Sequence, residues 1–319
     1  MTVLVTGGLG FVGHNVVAGL EAFGHTVVVA DTQTTYGIVP QHQLKFLITE
    51  RRKKIQTTEI HAIDIADQPG IDFLCRRFNP NIIIHTASFP RQKVVNTNPQ
   101  LGSRTMSEGL LNLLESARKH QVAKFVYISS SMVYGDFVDD VKEDAPCRPQ
   151  GQYGIMKLAG EWLVRDYTRS SGMEHTILRP SAVYGPLDVE DRVVSKFMLT
   201  AMRDGTLKVN GAGETLDFTY VDDTAHGIVA AALSKITTNR TYNITKSRSV
   251  SLLDAAKMII GIVGKGNIEC RDRDADFPSR GALSIDAARQ DFGFNPRVDV
   301  EQGFQKYYQW LSTTAHLMS

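Results

Sequence analysis

Cysteine is scarce in this chain. Cys75, Cys147 and Cys270 are odd in number and far apart. They lack the paired spacing of a zinc site, so no metal centre is expected, and free thiols fit a reducing compartment. Neither sign of charge dominates: 35 basic against 34 acidic residues leave a formal net charge of +1, which gives no global field for nucleic acid or an anionic membrane surface. Any anionic ligand must be held by local groups. Long apolar runs are also missing, so no bilayer span is expected. The residues after Met1 already read as a strand, leaving no room for a signal peptide. The expectation is a soluble, cytoplasmic protein. What is present is ordinary globular composition, 42% hydrophobic and 22% charged over 319 residues, with length for a full core and a second lobe.

Thr2-Val3-Leu4-Val5-Thr6 is a β-branched run that stops at Gly7-Gly8-Leu9-Gly10-Phe11-Val12-Gly13, after which apolar residues recur at helical spacing through Leu20. Strand, glycine turn and helix in that order let backbone approach a pyrophosphate at a helix N-terminus. The next strand, His25 to Ala30, ends in Asp31, whose carboxylate can accept both adenosine ribose hydroxyls and would repel a 2′-phosphate, favouring NAD over NADP. Further strands read over Glu59–Ile65, Asn81–Ala87 and Ala123–Ile128, separated by helices that include one from about Pro99 to His120. Continuous apolar strands alternating with helices predict an α/β fold with a doubly wound parallel sheet. Residues 32–58 read as an insertion. For its cluster Arg51-Arg52-Lys53-Lys54 a solvated helix face is expected, with a ligand phosphate or a neighbouring subunit as the alternative.

Ligands of such sheets bind beyond the carboxyl ends of the strands, where Gly7, Asp31, Asp64, Ala87 and Ser130 all fall. Tyr153 and Lys157 stand one helical turn apart at the start of a helix expected over about 151–171. An ammonium beside a phenol favours the phenolate, so Tyr153 can exchange a proton with a substrate hydroxyl. Ser130 is placed to hydrogen-bond the same oxygen. Amphipathic helices read over Arg192–Arg203 and Leu252–Val263, with an aromatic-rich one over Val298–Leu311. The loop Glu269–Gly281 carries Arg271, Arg273 and Arg280, which can clamp a diphosphate or remain solvated.

Over essentially its whole length the chain resembles the extended short-chain dehydrogenase/reductase family, in its nucleotide-sugar epimerase and dehydratase group. The resemblance is carried by Thr6 to Gly13, Asp31, Asp64-Ile65, His85-Thr86-Ala87-Ser88, Ser129 to Gly135, Tyr153 with Lys157, Arg179 to Pro186 and Gly211 to Asp223. It implies a Rossmann-type domain over 1–179 and 217–246 and a smaller, mainly C-terminal substrate lobe over 180–216 and 247–319. It implies NAD as cofactor, held by Gly7, Gly10, Phe11, Val12, Gly13, Asp31, Asp64, Ile65, Thr86, Ala87, Ser88, Ser129, Pro180 and Val183 together with Tyr153 and Lys157. Tyr153 is then the acid/base, Lys157 binds the nicotinamide ribose and tunes it, and Ser130 steadies the reacting oxygen. A homodimer through the helices at about 99–120 and 151–171 is also implied.

Departures from the family pattern narrow the chemistry. Dehydratases usually carry Asp-Glu after the catalytic Ser/Thr, where this chain has Ser131-Met132, and methionine cannot shuttle a proton. The usual asparagine before Val-Tyr-Gly is Ala182, the usual arginine before Asp-Phe is Leu216, and an active-site asparagine is replaced by Met106. A sugar diphosphate would therefore fall to Arg192, Lys196, Arg271, Arg273 or Arg280, with Ser131 and Met132 beside the sugar. The leading reading is an NAD-dependent nucleotide-sugar epimerase, at C4, acting through a transient keto-sugar and hydride return. The alternatives are a dehydrogenase or reductase of a keto-sugar or hydroxysteroid-type substrate, and a non-catalytic dinucleotide sensor.

Overall fold

Seven strands form one parallel sheet: β1 (Thr2–Thr6), β2 (Thr26–Ala30), β3 (Glu59–His61), β4 (Ile82–His85), β5 (Lys124–Ile128), β6 (Glu174–Pro180) and β7 (Arg240–Ile244), in the order β7-β6-β5-β4-β1-β2-β3. The computed structural model describes residues 1–56, 59–89, 92–189, 191–275 and 277–318, with side chains through Thr314. Residues 57 and 58 of the inserted segment and Asp276 of the arginine-bearing loop lie outside the described residues. Val3, Leu4, Val5, Val28, Val29, Ile83, Ile84, Phe125 and Val126 are all buried, as strands covered by helices on both faces must be. Strand order reverses between β1 and β4, and the crevice there is where a doubly wound sheet receives ligands.

β3 is shorter than the sequence suggests. The chain leaves the sheet after His61 because the Ile63 N–H donates back to the His61 carbonyl and the Asp64 carboxylate accepts from the Ala66 N–H. The turn puts Asp64 and Ile65 in the loop facing the crevice. One face of the sheet is packed by the helices Gly13–Ala22 and Val221–Leu233, the other by Gln68–Phe78, Gly109–Lys119 and Gly151–Ser171. The helix expected from Pro99 to His120 is interrupted: Arg104–Glu108 forms a π-helical turn between the α-helical pieces Pro99–Ser103 and Gly109–Lys119. A π turn rotates the side chains that follow it, and this one buries Thr105 and Met106.

A second apolar core gathers Val193–Met202, Leu252–Val263 and the C-terminal helix Val300–Met318. The insertion also contributes an unexpected helix, Gln41–Arg52, whose Leu44 and Leu47 enter this second core. Leu44, Leu47 and Arg51 recur at spacings of three and four and share the buried face. The expectation of a solvated basic face is thus corrected at one position: Arg51 is 4% exposed, while Arg52, Lys53 and Lys54 remain exposed. Among the described residues no helix is long and apolar enough to cross a membrane.

Candidate active site

Between β1 and the first helix the backbone doubles back on itself, and only glycine fits. Gly7 has φ +72°, and its added Cβ would lie 2.7 Å from the Ala87 nitrogen; a Cβ on Gly13 would lie 2.0 Å from the Gly7 carbonyl oxygen, and one on Gly10 2.9 Å from it. The turn thus leaves a cradle that side chains would fill. Beside it runs a cleft lined by Gly7, Gly10, Asp31, Asp64, Ile65, Thr86, Ala87 and Ser88, so residues from four separate motifs converge. Asp31 accepts from the Leu9 N–H at 2.8 Å and the Gln33 N–H at 2.7 Å. Burial raises its pKa, and those two N–H groups oppose the shift. Thr86 donates its hydroxyl to the Thr6 carbonyl, and Phe11, Val12 and Val183 pack together at the far side. A dinucleotide fits this arrangement: glycine backbone for a diphosphate, a carboxylate for the adenosine ribose, and apolar walls for the rings.

Tyr153 and Lys157 lie in the first two turns of the helix Gly151–Ser171. Gln150 precedes it in extended backbone, and Gly154 is required because its Cβ would meet the Met132 carbonyl oxygen at 2.6 Å. Lys157 is 4% exposed; its ammonium donates to the Ile128 carbonyl at 2.7 Å and stands 5.9 Å from the Tyr153 ring centre. Burial brings its pKa down to about 7, against an opposing pull from Glu161. Burial likewise pushes the Tyr153 phenol up, opposed by the Arg192 charge and by a hydrogen bond with Ser130. Lys157 therefore does not supply the expected lowering of the Tyr153 pKa. It donates to a carbonyl on the neighbouring strand, and the cation whose field reaches Tyr153 is Arg192. Ser130, at the end of β5, caps a short 3-10 turn by accepting from the Met132 N–H at 3.2 Å.

Under this site lies a buried polar network. Arg179 makes paired hydrogen bonds to both Glu161 oxygens, at 2.8 and 2.7 Å, and a third to the Tyr134 hydroxyl; Glu161 also accepts from Ser129 at 2.6 Å. The Ser129 hydroxyl, expected at the cofactor, is thus committed to the carboxylate that anchors the helix one turn beyond Lys157. Ser131 donates to Ser181 at 3.1 Å, and Met132 is buried beside the site.

The arginines and lysine expected at a diphosphate separate into two groups. Lys196 pairs with Asp191 at 2.6 Å, Arg271 with Glu269, and Arg273 with the Phe277 carbonyl and Glu214, all on exposed side chains. Arg192 instead lies over the Phe11 ring at 5.6 Å, its Nε 3.1 Å from Asp188, and reaches the Val183 carbonyl. Arg280 is half-buried, and among the described residues its Nε has no hydrogen-bond acceptor. Burial lowers its pKa to about 10 despite the charge of Glu214. Ala182 holds φ +36°, a left-handed backbone that asparagine tolerates better than alanine. Tyr36 and Thr105 line the cleft without having been expected there. Tyr36 packs 4.3 Å from Phe89, and burial raises the pKa of its phenol. No local sequence motif marks Tyr36, whereas the helical spacing of Leu44, Leu47 and Arg51 could have found Arg51.

The sequence model of the NAD dependent epimerase/dehydratase family matches residues 3–245. The chain is 30% identical over 321 residues to a putative UDP-glucose 4-epimerase of Methanocaldococcus jannaschii, covering 97% of this chain and 98% of that protein. It is 27% identical over 329 residues to an uncharacterized UDP-glucose epimerase of Bacillus subtilis, covering 98% of each. Among solved structures it resembles a UDP-glucuronic acid 4-epimerase from Bacillus cereus, in complex with UDP-glucuronic acid and NAD, at a TM-score of 0.90 and 26% identity, covering 98% and 99% of the two chains.

Proposed function

Because the chain belongs to the NAD dependent epimerase/dehydratase family, we propose that it is an NAD-dependent nucleotide-sugar epimerase acting at C4. The observation that carries this reading is the placement of Tyr153 at the open end of the sheet with the Lys157 ammonium 5.9 Å from its ring, Ser130 just beyond the end of β5, and Met132 where a second proton-transfer group would stand. One acid/base suffices for epimerisation, whereas water elimination needs more. The similar proteins named for UDP-glucose or UDP-glucuronic acid 4-epimerisation support the substrate class.

Gly7, Gly10, Phe11, Val12 and Gly13 would hold the cofactor diphosphate, Asp31 the adenosine ribose and Asp64 with Ile65 the adenine. Thr86, Ala87 and Ser88 would line the ribose limb, and Pro180 and Val183 the nicotinamide. NAD supplies the hydride acceptor that then serves as hydride donor. Tyr153 Oη takes the proton of the sugar C4 hydroxyl and returns it, Ser130 Oγ donates to the same oxygen, and Lys157 holds the nicotinamide ribose. Arg192, beside Phe11 at the cleft, and Arg280, whose Nε has no acceptor among the described residues, would take the sugar diphosphate. The second core, formed largely by 180–216 and 247–319, would close over the sugar.

Purified without added cofactor and then denatured, the protein is expected to release close to one NAD per chain. A cofactor-free preparation that binds NAD only reversibly would argue for a net dehydrogenase. A homodimer is also part of the proposal, because Leu101, Leu111, Ile155 and Trp162 leave large apolar groups exposed on the paired helices 99–119 and 151–171. Light scattering should give twice the mass of 35.3 kDa, and a monomer would remove it. Free Cys75, Cys147 and Cys270 suit a reducing cytoplasm, which fractionation of producing cells would test.

A further inference from the structure

An enzyme that takes hydride from a sugar and returns it must keep its cofactor through every turnover, and the inserted segment holds a residue built for that task. Arg51 is 4% exposed and spans two parts of the molecule. Its Nη1 donates to the Leu9 carbonyl at 3.0 Å, and its Nε and Nη2 donate to the Leu187 carbonyl at 3.2 and 2.7 Å. Leu9 belongs to the glycine turn, and its N–H is bound at 2.8 Å by Asp31. The residue is thus gripped from both sides, by a carboxylate on its N–H and a guanidinium on its C=O. Leu187 lies in the loop that leads into the second core, and its backbone is left-handed, with φ +67°. That conformation is costly for a leucine, and it presents to Arg51 a carbonyl that accepts two of its hydrogen bonds. The next residue, Asp188, is buried and pairs with Arg192 above Phe11. A planar guanidinium can satisfy carbonyls in two directions at once, which a lysine cannot do.

We propose that Arg51 is a positioning residue for the cofactor, joining the glycine turn to the roof of the second core so that the cleft stays closed over a bound dinucleotide. It touches neither the reacting carbon nor Tyr153. Its action runs through Leu9, which sets the diphosphate cradle, and through Leu187, which sets the Asp188–Arg192 pair. The charge balance fits a buried role: burial lowers the Arg51 pKa to about 10, with Asp188 and Asp31 opposing the shift. The inserted segment then has a purpose that its exposed lysines do not suggest.

This proposal rests on the reading of NAD as a resident cofactor, and its test needs no sugar. NADH is loaded onto wild type, Arg51→Gln, Arg51→Lys and Leu113→Ala, excess NAD is added, and loss of bound-NADH fluorescence gives the dissociation rate. Leu113→Ala is a control, since Leu113 lies in the core on the opposite face of the sheet and its loss destabilises without touching the cleft. Both Arg51 variants are expected to release NADH at least about tenfold faster, the factor carried by one lost charge-assisted hydrogen bond. Leu113→Ala should dissociate like wild type. If Arg51→Gln does not fold, Arg51→Lys decides alone, because it keeps the charge and loses the fork. A wild-type rate in the Arg51 variants would overturn the proposal, as would an equal acceleration in Leu113→Ala. If wild type is purified without NAD, the resident-cofactor reading fails instead. Arg51 is then judged by its affinity for added NAD, and an unchanged Kd would overturn its role.

Discussion

Tyr153→Phe is expected to lower turnover by roughly a hundred- to ten-thousandfold, the range carried by a positioned proton-transfer group, while the protein still yields its NAD on denaturation. The phenyl ring keeps its packing beside Met156 and the buried cluster of Phe89, Val95 and Met106, so folding and cofactor binding should persist. What disappears is the oxygen proposed to exchange the sugar proton. Paired measurements of turnover and released NAD check the expectation. A protein whose output depends only on binding the dinucleotide would be unaffected, and equal loss of NAD and turnover would mean that Tyr153 serves binding rather than proton transfer.

The second large effect concerns stability. Arg179→Met removes the partner of a carboxylate with no exposed surface and leaves Glu161 with Ser129 and the partly exposed Arg165. Breaking a buried pair from one side costs about 3–5 kcal/mol, or a fall in Tm of about 10 °C for a chain of this size. The pH dependence should change sign as well. In the wild type, burial of Glu161 is outweighed by the bonds from Arg179 and Ser129, so its pKa lies below the usual 4.5. Its contribution is present above pH 4.5 and is lost as pH falls through the lowered value. Without Arg179, burial dominates and raises that pKa, so the variant should lose stability as pH rises above about 4.5. Thermal melts from pH 4 to pH 7 should show the gap between the two proteins widening. A constant gap would mean that Glu161 is not the group left uncompensated.

Much of the fold was legible because its signals are local. Gly10 and Gly13 answer to the Gly7 carbonyl within the same turn, and apolar runs such as Ile82–Ile84 follow directly from burial on both faces. Tyr153 and Lys157 could be paired because a helix fixes their spacing. The less legible features depend on distant partners. Lys157 was expected to lower the Tyr153 pKa, but its ammonium is directed to the Ile128 carbonyl, a contact across 29 residues that spacing on one helix does not encode. Ser129 faces Glu161 rather than the cleft for the same reason. Arg51 sits in a run of four cations, where composition points to solvent, and only its helical spacing from Leu44 and Leu47 singles it out as the one that turns inward. The π turn at Arg104–Glu108, which carries Thr105 to the cleft and Met106 toward Tyr153, leaves no mark in a sequence that reads as continuous helix.

The central claim is that one resident NAD and one phenol invert a sugar carbon without net oxidation. The direct measurement is to incubate the purified protein, with no added cofactor, with UDP-glucose and separately with UDP-glucuronic acid, and to follow the sugar protons by NMR. The expected result is a mixture of the two C4 epimers of at least one substrate, approached from either side, with no accumulation of free NADH. Stoichiometric formation of an oxidised sugar with released NADH would contradict it, as would unchanged UDP-sugars from a protein shown to be folded and loaded with NAD.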